Sequence, residues 1–128
     1  MRKLSFIILF CVASQADARD RHGLAKYTKR YQSCSDRAQG SYTHILACQG
    51  EEVAVQDAKL NEAYSAVMRR LAPPNRKLLR NAERKWLTMR DKKCALPLAD
   101  SGLSNLVDSQ ECRLEETLSR TGWLERYH

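Results

Sequence analysis

The chain has 128 residues, a formal charge of +7, and 29% charged against 7% aromatic side chains. That length supports one domain with one modest core. The chain's one apolar run, Leu4 to Ala13, is too short to span a bilayer, and no second one follows.

The N-terminus reads as a secretory leader. Arg2 and Lys3 give a positive start, Leu4 to Ala13 is an almost unbroken apolar run, and Ala16-Asp17-Ala18 places small residues where a signal peptidase reads. Cleavage is expected after Ala18. A buried N-terminal helix and lipidation at Cys11 are the alternatives; the bulky Phe10 before Cys11 argues against the second. Losing residues 1–18 removes Arg2, Lys3, Asp17 and Cys11, leaving 110 residues with 20 basic and 14 acidic side chains, or +6. The expected compartment is the bacterial periplasm or the medium.

Four cysteines remain: Cys34, Cys48, Cys94 and Cys112. An even count in a small exported chain points to disulfides. Zinc is the rival, but 13, 45 and 17 intervening residues provide no close pair, and His22, His44 and His128 do not cluster with the cysteines. Three connectivities are possible. Cys34–Cys48 with Cys94–Cys112 is preferred because both loops are short.

Residues 19–32 (RDRHGLAKYTKRYQ) are basic and weakly apolar, and read as a flexible arm; 33–43 reads as a loop. A domain from 33 to 128 then follows. The first helix is expected from about Thr43, as N-cap, to Leu71, with Val53, Asp57, Leu60, Tyr64, Val67 and Leu71 on one face. Pro73-Pro74 stops it. A second helix is expected from about Asn75 to Lys93, with Leu79, Ala82 and Trp86 sharing a face. The short turn makes the two an antiparallel hairpin. After a linker holding Pro97 and Gly102, a third helix is expected from about Ser104 to Thr121, with Leu106, Gln110, Leu114 and Leu118 in register and Gly122 just past its end. The fold class is all-α: a small bundle made of a helical hairpin plus a third helix, stapled by two disulfides.

Catalysis is not expected. The chain has no P-loop, no Gly-x-Ser-x-Gly and no His-Glu-x-x-His. The pairs Glu51-Glu52 and Glu115-Glu116 are sequence neighbours that splay apart on a helix. Nothing calls for a metal or a cofactor. Asp57, Asn61 and Tyr64 share one stripe, and Trp86 and Arg90 share a stripe on the facing helix. The favoured role is structural: Asp57 or Asn61 accepts from Arg90 while Tyr64 packs on Trp86. The alternative is a recognition surface around Tyr64, Trp86 and Arg90, residue types that dominate binding hot spots. Asp91 reads as a surface or helix-end residue. Arg76, Lys77, Arg80, Arg84 and Lys85 form a basic face. It either serves solubility or binds anionic envelope polymers or lipids; nucleic acid is not the expected partner of an exported chain.

Leu60-Asn61-x-x-Tyr64 and Trp86-x-x-x-Arg90-Asp91-x-x-Cys94, framed by Cys34, Cys48, Glu52 and Asp57 before and by Cys112, Thr117, Arg120 and Leu124 after, resemble the LprI-type lysozyme inhibitor family. The resemblance covers about residues 31–124. It implies an exported all-helical domain with paired cysteines, and lysozyme or another peptidoglycan hydrolase as protein partner. Where that family usually has Gln before the Trp motif this chain has Glu83, and only Ser101-Gly102 stands where a Gly-Gly-Ser stretch is frequent. An Arg or Lys entering the lysozyme cleft would meet its two carboxyl groups. Net charge works the other way, since a +6 inhibitor approaching a basic lysozyme is repelled at long range. An envelope protein binding anionic cell-wall or lipid components, and an immunity protein against another cell-wall hydrolase, are the alternatives.

Overall fold

The computed structural model describes residues 27–96 and 102–128. The leader, its cleavage point, Cys11, His22, most of the arm and Pro97 lie outside the described residues. Among the described residues four helices follow one another: α1 (Lys29–Ala38), α2 (Tyr42–Arg70), α3 (Pro73–Lys93) and α4 (Leu103–Glu125). The fold is all-helical, with the three expected helices and one more. No helix among the described residues is long and apolar enough to cross a membrane.

α1 occupies the end of the expected arm and the start of the expected loop. Its sequence, KRYQSCSDRA, carries only a narrow apolar face of Tyr31, Cys34 and Ala38, and only Ala38 is fully buried. A ten-residue helix of this kind is marginal alone. It persists because its partners lie elsewhere in the chain. Thr28 caps it by accepting from the Tyr31 N–H at 3.1 Å. Cys34 ties its middle to Cys48 of α2. It ends where Gln39 and Gly40 take positive φ (47° and 79°), the left-handed region in which glycine is unstrained.

Pro73 and Pro74 both stop α2 and start α3. Ala72 before them is extended, as a residue preceding proline must be, and the prolines take the first helical positions, where no backbone N–H is needed. α3 therefore begins two residues earlier than its composition suggests. α4 runs past Thr121 and through Gly122 to Glu125. Leu124, fully buried, holds that last turn onto the bundle.

α2 and α4 run parallel: Gln49 meets Val107 and Glu111, while Arg70 at the other end donates to the Tyr127 carbonyl. α3 runs antiparallel to both. The closest backbone pairing is α2 with α4, and large side chains fill the space towards α3. Leu60, Val67, Leu79, Trp86 and Leu124 form this core, with Tyr64, Met68 and Tyr127 packed against it.

The buried stripe of α2 differs from the expected one. It runs Gln49, Glu52, Gln56, Leu60, Val67, so its first half is polar. A register drawn through apolar residues passes instead through Val53 and Asp57, one position off, and Asp57 is exposed. α4 repeats this: Leu114, Thr117, Thr121 and Leu124 are buried, whereas Leu106, Gln110 and Leu118 are only half-buried.

Candidate functional site

Both disulfides have the sequential pairing, Cys34–Cys48 and Cys94–Cys112, with Cα separations of 5.8 and 5.5 Å. Closing loops of this size contributes about 3 kcal/mol each in the chain-entropy model. Both staples sit at the end of the bundle where α2 begins and α3 ends.

That end also holds a polar cluster. The buried Glu52 carboxylate accepts from the Thr28 N–H at 3.0 Å, from the Thr28 hydroxyl and from Gln56 at 2.6 Å. It thereby satisfies a donor at the start of α1 that no helix carbonyl can reach. Glu111 of α4 accepts from the Tyr27 and Tyr31 hydroxyls at 2.6 and 2.9 Å and from Gln49 at 3.2 Å. Burial, and then the Glu111 carboxylate, push both phenols above the usual tyrosine range. The folded chain thus holds these protons more tightly than the unfolded chain. The resulting stability is complete below the ordinary tyrosine value of 10.0 and is lost as pH rises above it. Stability of the wild-type protein should fall above pH 10 more steeply than that of Tyr27→Phe/Tyr31→Phe, by under about 1 kcal/mol because the rings are partly solvated. Urea unfolding at pH 8 and above pH 10 measures the difference; parallel declines would refute it.

The middle of the bundle contains the Trp86 and Arg90 stripe. Trp86 is buried. Arg90 lies 5.2 Å over its ring, and Arg120 of α4 lies 5.6 Å from the same ring and 3.9 Å over Trp123. Arg120 pairs with Glu83 at 2.7–2.8 Å, and both side chains are only 13% exposed. Arg90 donates to Asp91 at 3.0 and 3.1 Å and to Thr117 at 3.4 Å. Asp91 also accepts from Arg113 at 3.1 Å, so it bridges two arginines. The carboxylate opposite Arg90 is thus its own chain neighbour: Asp57 shares a cavity of about 130 Å³ with Arg90 and Arg113 without a bond to either, and Asn61 is exposed. Tyr64 does pack against the cluster that contains Trp86. In this seam Arg90, Arg113 and Arg120 each have an acidic partner and the Trp86 ring is buried, while Trp123 is exposed.

The end where α2 turns into α3 is different. Arg76, Lys77, Arg80, Arg84 and Lys85 are all exposed. No carboxylate occurs in sequence between Glu62 and Glu83. Arg30, Arg90, Lys93, Arg113 and Arg120 each have an acidic partner, whereas Arg69, Lys77, Arg80, Arg84 and Lys85 have none among the described residues. Beside the turn opens a groove of about 490 Å³ lined by Tyr64, Ser65, Met68, Arg69, Arg76 and Arg80. Arg76 donates to the Leu71 carbonyl at 2.7 Å and braces the turn. Of the three proposed recognition residues, Tyr64 alone lines this groove.

No group of three or more His, Cys, Asp or Glu among the described residues could hold a metal. Glu51 faces solvent against Arg30 while its neighbour Glu52 is buried. The residues that sequence reasoning passed over are Gln49, Gln56, Glu111, Tyr27 and Tyr31. Their one signal was spacing, since Gln49, Glu52 and Gln56 recur at three and four.

No solved structure matches this chain. "Uncharacterized protein YecT" of Escherichia coli (strain K12) is 28% identical over 149 aligned positions, covering 99% of this chain and 91% of that protein. The family model described as "Lysozyme inhibitor LprI" matches residues 34–124, from the first paired cysteine to the buried Leu124. The chain belongs to the LprI lysozyme inhibitor family.

Proposed function

We propose that this protein is an exported inhibitor of a lysozyme-type peptidoglycan hydrolase. Residues 1–18 act as its leader, and the mature chain acts in the periplasm or outside the cell. It binds as a rigid, disulfide-held body and blocks the hydrolase cleft; it performs no chemistry of its own. The observation that carries this reading is the family match across residues 34–124, which spans both staples and the seam between them. The internally neutralised seam supports it: such an interior sets shape and leaves recognition to the surface.

The test is lysis of a cell-wall suspension by several lysozyme types, with and without the oxidised chain 19–128, at low and physiological salt. Dose-dependent inhibition that survives physiological salt is expected. Full lysis by every type would refute the reading. A second reading, adhesion to anionic envelope polymers or lipid, is favoured by Arg69, Lys77, Arg80, Arg84 and Lys85, which have no acidic partner among the described residues. It predicts binding to cell walls that falls steeply with salt and leaves lysozyme active.

A further inference from the structure

Blocking a cleft requires an element that carries the charge opposite to what lies inside it. One end of the described surface carries that charge. The α2–α3 turn has a path fixed by Pro73 and Pro74 and braced by Arg76 on the Leu71 carbonyl. A turn fixed in advance loses little conformational freedom on binding. Around it stand Arg69, Arg76, Lys77 and Arg80, all exposed, with no carboxylate within the intervening sequence. Arg69 and Arg80 flank the Tyr64 groove and have no partner among the described residues. The other end of the bundle is closed by α1 and both disulfides, and carries the carboxylates Glu51, Glu52 and Glu111.

We propose that the α2–α3 turn is the inhibitory element, and that Arg69 and Arg80 pair with the two carboxyl groups in the glycosidase cleft while Tyr64 packs on its rim. This rests on the inhibitor reading. A retaining glycosidase holds two carboxyl groups about 5–5.5 Å apart, one of them ionised. Arginine suits such a site because its planar fork binds a carboxylate through two parallel hydrogen bonds and stays charged throughout. Local pairing of this kind also reconciles a cationic inhibitor with a cationic enzyme. Long-range repulsion slows the encounter, while the contacts formed in the desolvated cleft set the lifetime of the complex.

The experiment compares the oxidised wild-type chain with Arg69→Glu/Arg80→Glu in lysozyme inhibition, with Arg37→Glu on α1 as control. A chito-oligosaccharide that fills the cleft is added as competitor. Arg69 and Arg80 are exposed, so the double variant should keep the wild-type circular dichroism and melting curve. If it does not, Arg69→Gln/Arg80→Gln replaces it. The expected result is a loss of inhibition of about 100-fold or more for the double variant, little change for the control, and competition by the oligosaccharide. Undiminished inhibition by the folded double variant would overturn the assignment and leave the inhibitor reading intact. A wild-type chain that leaves lysozyme active but sediments with anionic vesicles would overturn both, and would assign the same cations to a lipid surface.

Discussion

Glu83→Ala should destabilise the protein by about 3 kcal/mol or more. Glu83 and Arg120 form an ion pair in which each side chain is 13% exposed, and removing one partner of such a pair strands the other's charge. Arg120 cannot easily swing into water, because its guanidinium lies 3.9 Å over Trp123 and 5.6 Å from Trp86. The stranded charge therefore sits against the core cluster that holds α3 to α4. Glu83→Gln should cost less, about 1 kcal/mol, since an amide oxygen still accepts from Arg120. Urea unfolding of both variants, with intrinsic tryptophan fluorescence as the signal, measures the two costs. A loss below about 1 kcal/mol for Glu83→Ala would show that the pair is solvated in solution and that the Trp86–Arg120–Trp123 stack does not depend on it.

Glu52→Ala should cost about 2–3 kcal/mol, and its effect should be local as well as global. One carboxylate accepts from the Thr28 backbone, the Thr28 hydroxyl and Gln56, and hydrogen bonds to an ionised group contribute about 1.5–3 kcal/mol. Without it the first turn of α1 has an unsatisfied N–H, and Gln56, itself buried, loses one of its contacts. The Cys34–Cys48 bond keeps α1 tethered, so the helix should fray without leaving. Hydrogen exchange of residues 29–38 should accelerate well beyond what the global loss explains, while α3 and α4 change only by the global amount. Uniform acceleration across all four helices would contradict the role given to Glu52.

Much of this architecture can be read from the sequence, and what cannot has a physical cause. The hairpin follows from Pro73-Pro74, because proline acts through its own backbone and needs no distant partner. The sequential disulfides follow from short loops around the cysteines. α1 does not appear, since it has almost no apolar face and is held by Glu52, Glu111 and Cys48, all remote in sequence. Leu60 and Val67 are buried as the apolar pattern expects, but the first half of the α2 stripe lies one position off, because Gln49, Glu52 and Gln56 are buried through hydrogen bonds that a hydrophobic pattern does not register. The same shift leaves Asp57 beside Arg90 without a bond to it, and Asn61 exposed. Arg90 was given the right environment but the wrong acceptor: a helical neighbour such as Asp91 reaches it without crossing the bundle. The basic face at Arg76, Lys77, Arg80, Arg84 and Lys85 was legible as composition, whereas its lack of acidic partners needed the fold.

The most direct test of the central claim is a titration of lysozyme activity against the oxidised chain 19–128 at physiological salt, with both proteins well above the dissociation constant. An inhibitor that fills one cleft as a rigid body gives a linear loss of activity that ends at one equivalent. Unchanged activity in the presence of several equivalents of folded, oxidised protein would contradict it.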